Sequence, residues 1–237
     1  MRMTLPLSTA LIAVLLVAGS AFAQWSDNFD GYPANQNLHN VGGWTGWGND
    51  PGATAFVRAA PAPSRSAPHS VEIALTSDLV QQYAGVNAGQ WVMSGWCYIP
   101  TGATGRQYFI LMNTYTLPAT FNWSTQLRLD MTANVARDDL TTGNPTKPLA
   151  RDRWVEVRVE IDFAIDQQQL YYDGGAPLST SSWRRTGALN LAALDLFGGL
   201  GAQGQSIIHW DDLVLRRAGV TAVEPATWGG IKATFNR

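Results

Sequence analysis

Three carboxylates stand close together in the stretch EIDFAID, and two of them, Glu160 and Asp162, are two positions apart. In an extended chain successive side chains alternate between faces, so this spacing puts both carboxyls on one side of a strand. Two carboxyls on one side are what a retaining glycoside hydrolase uses, at a separation of about 5 to 5.5 Å. The stretch meets that requirement only in part. The next positions are Ala164 and Ile165, and Asp166 lies too far along. Without a proton donor the leaving oxygen loses a step that general acid catalysis accelerates by about 10² to 10⁴. The same pattern, Val155, Val157, Val159 and Ile161 against Glu156, Arg158, Glu160 and Asp162, is also what any half-buried sheet produces. No catalytic residue is expected here. His39, His69 and His209 are isolated, without H-x-H or H-E-x-x-H spacing, so zinc is unsupported. There is no G-x-S-x-G and no phosphate-binding glycine loop. Cys97, the single cysteine, sits in WVMSGWCYI, where apolar neighbours predict a buried, inert thiol and no disulfide is possible within the chain.

Binding is better supported than catalysis. The 237 residues include ten tryptophans and 23 glycines, only 14% are charged, and the formal net charge is −2. No basic cluster exists to hold nucleic acid or an anionic membrane surface. Flat aromatic faces can stack on sugar rings while nearby polar groups meet the hydroxyls. GWCY puts Trp96 and Tyr98 on one strand face, and TQLRLDM puts Gln126, Arg128 and Asp130 on its polar face. These five are the expected glycan-binding residues, on one shared sheet face, with Arg128 donating to ring hydroxyls and Asp130 accepting from them. Trp44 and Trp47 in a glycine-rich loop, and Trp123 in FNWS, are alternative platforms at the rim. For each tryptophan the competing reading is core packing.

The elements that must position these groups are strands. WVEVRVEIDF and TQLRLDM alternate cleanly, whereas SIIHWDDLVLRR carries apolar residues on both faces and is expected to be covered on both. TAFVRA, HSVEIAL, QWVMSGWCYI, RQYFILMN, QQQLYYDG and LDLFGGL are further strands bounded by Gly, Pro, Asn or Asp. Asp173-Gly174 supplies the turn chemistry of a hairpin that needs positive φ. No segment sustains a 3.6-residue period, so the fold class is all-β, and AAPAPSRSAPHS (59–70) is a loop crossing the surface.

Residues 1–23 have Arg2, an apolar run and small residues at Ala21 and Ala23, the pattern of a cleaved secretory signal. The expected product is secreted, extracellular or periplasmic. Residues 24–217 form one β-sandwich domain, a size that suits a single core, and 218–237 form a tail. In that tail Trp228, Ile231 and Phe235 line one stripe if helical, so it is read as docking on a cell-surface or sorting partner, or on the sandwich itself. The segment DNFDGYPANQNLHNVGGWTGWGND has almost no aliphatic residue and reads as a run that cannot build a core.

Taken in order, DNFDGYPANQNLHNVGGWTGWGND, APSRSAPHSVEI, RWVEVRVEIDFAIDQQQLYYDGGAPL and HWDDLVL resemble the concanavalin A-like and laminin-G-like jelly rolls of secreted bacterial proteins, over roughly 25–217. The resemblance implies two antiparallel sheets face to face, with first and last strands adjacent, and a carbohydrate-binding module as the function. It also implies a structural calcium held by the two chain ends. Asp27, Asn28 and Asp30 at one end and Asp211 and Asp212 at the other offer oxygens of the kind hard cations take, about 6 to 8 in number. The competing reading makes these residues turn formers and backbone acceptors. Strand alternation sends Asp211 and Asp212 to opposite faces. Laminarinase-type glycosidases of the same fold add a third acid after the positions matched by Glu160 and Asp162, and this chain lacks it. A non-catalytic glycan-binding protein is the expected function, with a cell-surface structural or adhesion protein and a laminarinase-type hydrolase as alternatives.

Overall fold

A computed structural model describes residues 25–117, 120–199 and 206–218. The expected secretory signal and the tail with its Trp228 stripe lie outside the described residues. Among those described there is no α-helix, and no helix is long and apolar enough to cross a membrane.

Two antiparallel sheets form a sandwich. The first contains β1 (Trp25–Asp27), β3 (Phe56–Ala59), β4 (His69–Ile73), β6 (Gln90–Tyr98), β11 (Trp154–Asp162), β12 (Gln167–Tyr172), β13 (Ser179–Ser182) and β15 (Ile208–Arg217). Its order is β13-β12-β11-β6-β15-β4-β3, with β1 also pairing β15. The second contains β2 (Trp44–Gly46), β5 (Asp78–Gln82), β7 (Arg106–Thr116), β8 (Thr120–Asp130), β9 (Val135–Asp138), β10 (Thr146–Pro148) and β14 (Ala193–Phe197). Its order is β10-β9-β8-β7-β14-β5-β2. The expected adjacency of first and last strands is present: Trp25 pairs Leu215 and Asp27 pairs Leu213.

Alternation builds the core. On β11, Val155, Val157, Val159 and Ile161 are buried and the four charged residues between them are half-exposed. Trp91, Met93 and Cys97 of β6 and Trp210, Leu213 and Leu215 of β15 meet Phe109 and Leu111 of β7 and Leu127 and Leu129 of β8 in one apolar layer. Burial pushes the Cys97 thiol up to about 12, so it stays protonated and inert at neutral pH. Asp173 and Gly174 take φ of 56° and 65° in the connection from β12 to β13, the backbone state the hairpin reading required.

The opening segment departs from its expectation, because it does build core. Phe29, Leu38 and Trp44 are fully buried. Asp27 makes this possible by accepting from the Tyr32 hydroxyl at 2.7 Å and the Trp44 indole at 2.8 Å, so both polar tips are satisfied inside apolar surroundings.

The 59–70 segment lies over the outer side of β15, where His209 and Asp211 are buried and Asp211 accepts from the amides of Arg65 and Ser66, while Ile208, Trp210, Leu213 and Leu215 all join the core. A bulge between Asp211 and Val214, with Asp212 at φ 46°, breaks the strand's alternation. The two acids therefore do not diverge as expected. Ser66 Oγ lies 3.4 Å from Asp211 Oδ1 and 2.9 Å from Asp212 Oδ1, and Arg65 pairs with Asp212.

Candidate functional site

The two outer faces differ in kind. On the first sheet Arg158 pairs Glu160 at 2.7 Å and Gln90 Nε2 donates to Asp162 at 2.6 Å. A concavity of about 360 Å³ lies there, bordered by Gln90, Glu160, Asp162, Gln169 and Arg216. The Gln90 hydrogen bond holds the Asp162 carboxyl below its ordinary range, the opposite of what a proton-donating acid requires. This is an ordinary solvated face with cross-strand pairing.

The outer face of the second sheet carries a separate apolar cluster. Three rows of register partners cross it. Asp78, Phe197, Tyr108 and Arg128 form the first row; Val80, Asp195, Ile110 and Gln126 the second; Gln82, Ala193, Met112 and Trp123 the third. Val80, Tyr108, Ile110, Met112 and Ala193 are buried although they point away from the main core. Trp47, on the short 3₁₀ turn Trp47–Asn49, and Trp123 pack over them. Trp47 is fixed edge-on to Tyr115 at 5.1 Å and to Phe121 at 5.1 Å, and Phe121 to Trp123 at 5.0 Å. Gly48 N donates to the Tyr115 hydroxyl at 3.1 Å, which anchors the turn. Tyr108 and Phe197 stack at 5.6 Å. Between these rings is a concavity of about 320 Å³, lined by Trp47, Asp78, Tyr108, Ile110, Trp123, Gln126, Asp195 and Phe197.

Two acids sit in that aromatic setting. Asp195 is 2% exposed, between Val80 and Ile110 in its row. The Asp78 and Asp195 carboxyls hydrogen-bond to each other, and Oδ1 of each is buried with no donor from the rest of the protein. Burial pushes Asp78 up to about 6, against the Asp195 hydrogen bond that lowers it. Burial, then the Asp78 charge and hydrogen bond, push Asp195 well above the carboxylate range. Both acids are thus pushed toward sharing one proton, the solution like charges adopt when they share a site.

The sequence-derived set is divided by the structure. Gln126, Arg128 and Asp130 lie on the outer face of the second sheet, whereas Trp96 and Tyr98 lie on the first, on the other side of the sandwich. The expected shared face is corrected accordingly, since β6 and β8 belong to different sheets. Trp96 is also covered: the Arg65 guanidinium stacks on its ring at 3.9 Å. Tyr98 packs against Trp154 at 5.6 Å. Arg128 and Asp130 belong to a charge network, with Arg128 3.2 Å from Asp139 and Arg106 2.9 Å from Asp130. Only Gln126 reaches the concavity, where the alternative platforms Trp47 and Trp123 join it while Trp44 is core. Asp78, Asp195, Tyr108, Ile110 and Phe197 were missed. The available signal was RQYFILM, whose outward residues Tyr108, Ile110 and Met112 are as apolar as its inward ones.

The acids read as calcium ligands have protein partners. Asp27 accepts from Phe29 N, Tyr32 and Trp44; Asp30 accepts from His69 N and from Asn28 Nδ2. Asp211 accepts from the amides of Arg65, Ser66 and Asp212. Among the described residues no group of three or more His, Cys, Asp or Glu is placed to hold a metal.

No family model and no curated protein matches the chain. Among solved structures, a sialidase is similar over 92% of this chain, at 11% identity and a TM-score of 0.55. This chain spans 21% of that sialidase's length. A Trypanosoma rangeli sialidase in complex with 2,3-difluorosialic acid matches 71% of this chain and 28% of its own, at 16% identity and a TM-score of 0.49. The binding domain of Paraclostridial mosquitocidal protein 1 matches 70% of this chain and 45% of its own, at 13% identity and a TM-score of 0.43. At 11% identity the likeness to the first of these, the sialidase at a TM-score of 0.55, is one of fold.

Proposed function

We propose that the protein is a secreted, non-catalytic glycan-binding β-sandwich of the concanavalin A-like, laminin-G-like kind, and that it binds through the outer face of its second sheet. The observation that carries this reading is the aromatic-walled concavity with acceptors in its lining. Trp47 and Trp123 offer faces to the C–H side of a sugar ring, while Gln126 and the Asp78–Asp195 pair accept from hydroxyls. Its size, about 320 Å³, suits one or two rings of a longer chain at the low end of ligand sites.

Isothermal calorimetry with a panel of soluble polysaccharides tests the reading. At least one glycan should bind, with a loss of about tenfold or more in Trp123→Ala or Trp47→Ala, equivalent to about 1.4 kcal/mol, and no change in Trp96→Ala. Binding by no polysaccharide, or binding that survives both aromatic substitutions, removes the glycan reading and leaves the structural or adhesion role.

A further inference from the structure

The lining of the second-sheet concavity contains two acids and no base. Arg128, which shares a row with Asp78, is engaged by Asp139 at 3.2 Å and lies 3.8 Å from Asp130. One proton between Asp78 and Asp195 still leaves one negative charge among rings and Ile110, and a desolvated charge without a counter-charge is costly. The missing partner is therefore positive. A hard metal ion fits poorly, because it needs about 6 to 8 oxygens, whereas apart from the two carboxyls and the Gln126 amide the lining side chains are aromatic or aliphatic. An organic ammonium fits both halves of the site. Its N–H groups donate to the Asp78 carboxylate in the lining, beside an Asp195 that is 2% exposed and has an oxygen no group of the protein satisfies, and its charge is attracted to the surrounding rings of Trp47, Trp123 and Tyr108.

We propose that the concavity formed by Asp78, Asp195, Trp47, Trp123 and Gln126 recognises a protonated amine carried on a sugar ring, that is, a glycan with free amino groups. The proposal rests on the glycan reading above and narrows its substrate class. The ammonium lies on the carboxyl pair, and the ring that bears it lies against the tryptophans.

The test is calorimetric titration of the full protein, at neutral pH, above the value of about 6 to which Asp78 is pushed, with four probes: a glucosamine oligomer, the same oligomer N-acetylated, a glucose oligomer of equal length, and cyclohexylamine. The glucosamine oligomer should bind at least about tenfold more tightly than either neutral oligomer. Asp78→Asn should remove that preference while retaining weak binding. Neutral oligomers that bind as tightly as the amino form overturn the ammonium proposal and leave the glycan reading standing. Cyclohexylamine binding without any oligosaccharide binding overturns the glycan reading and, with it, the sugar part of the proposal. Silence from all four probes overturns both. The comparison among probes on the unmodified protein is decisive even where a variant folds poorly.

Discussion

Asp211 shows how much one buried carboxyl can organise. It is fully buried and receives the amides of Arg65 at 2.7 Å, Ser66 at 3.1 Å and Asp212 at 2.7 Å. Burial pushes it up to about 6, against the amide donors that lower it. These bonds fix the 59–70 loop, and through it the Arg65 stack on Trp96. Replacing an acceptor oxygen by a donating amide leaves at least one of those N–H groups unpaired, at about 1 to 3 kcal/mol each. Asp211→Asn should therefore lower stability by about 2 kcal/mol in urea unfolding and make the 59–70 loop a proteolytic site in the native state. A variant with unchanged midpoint and an uncut loop would show that the carboxylate does not hold it. At this scale the sequence was legible where alternation runs undisturbed, as at Cys97, and illegible at Asp211 and Asp212. Their bulge depends on a loop more than 140 positions away in the chain, since Arg65 and Asp211 are separated by 146.

Among the elements, β11 was readable because nine residues repeat one pattern without interruption. β5 was not, because in DLVQQ the inward positions are Leu79 and Gln81 and the outward ones include Val80, so no face is uniformly apolar. β9, β10 and β13 have three or four residues each and contribute too few positions to show a period. The pairing of β5 with β14 is what joins Asp78 to Asp195, and it makes stability depend on pH. Asp78 rises from its ordinary 3.8 to about 6 on folding, and Asp195 rises as well. The folded state then binds protons more tightly than the unfolded chain. Asp78's contribution is complete below about pH 4 and is lost as pH rises through about 6, and Asp195's is lost as pH rises through its own raised value. His209 works the other way: burial lowers it from 6.5 to about 4, so its contribution is present above about pH 6.5 and lost as pH falls. Subtracting one variant from the unmodified protein separates the two. The melting-temperature advantage of the unmodified protein over Asp78→Asn should shrink or reverse between pH 4 and pH 7, about the interval the shift spans. An advantage that grows across that interval would contradict the shared-proton assignment.

For the whole molecule, the all-β class followed from strand alternation, turn residues and the absence of a helical period, and the two face-to-face sheets from the resemblance to jelly-roll domains. Which strands share a sheet did not, because sheet membership is set by pairings far apart in sequence. That is why Trp96 and Gln126 were placed together and are found on opposite outer faces. Polarity on one face of a strand marked the solvated surface correctly for β11, yet the candidate site lies where an outward face is apolar and two acids interrupt it. Glycan binding at that face is the central claim, and it can be located residue by residue from the tryptophan indole N–H resonances in a ¹⁵N-labelled sample titrated with a bound saccharide. Trp47 and Trp123 should shift together with a single binding curve, while Trp96 and Trp154 on the first sheet and buried Trp210 stay in place. Shifts confined to Trp96 and Trp154, or none at saturating saccharide, would contradict it.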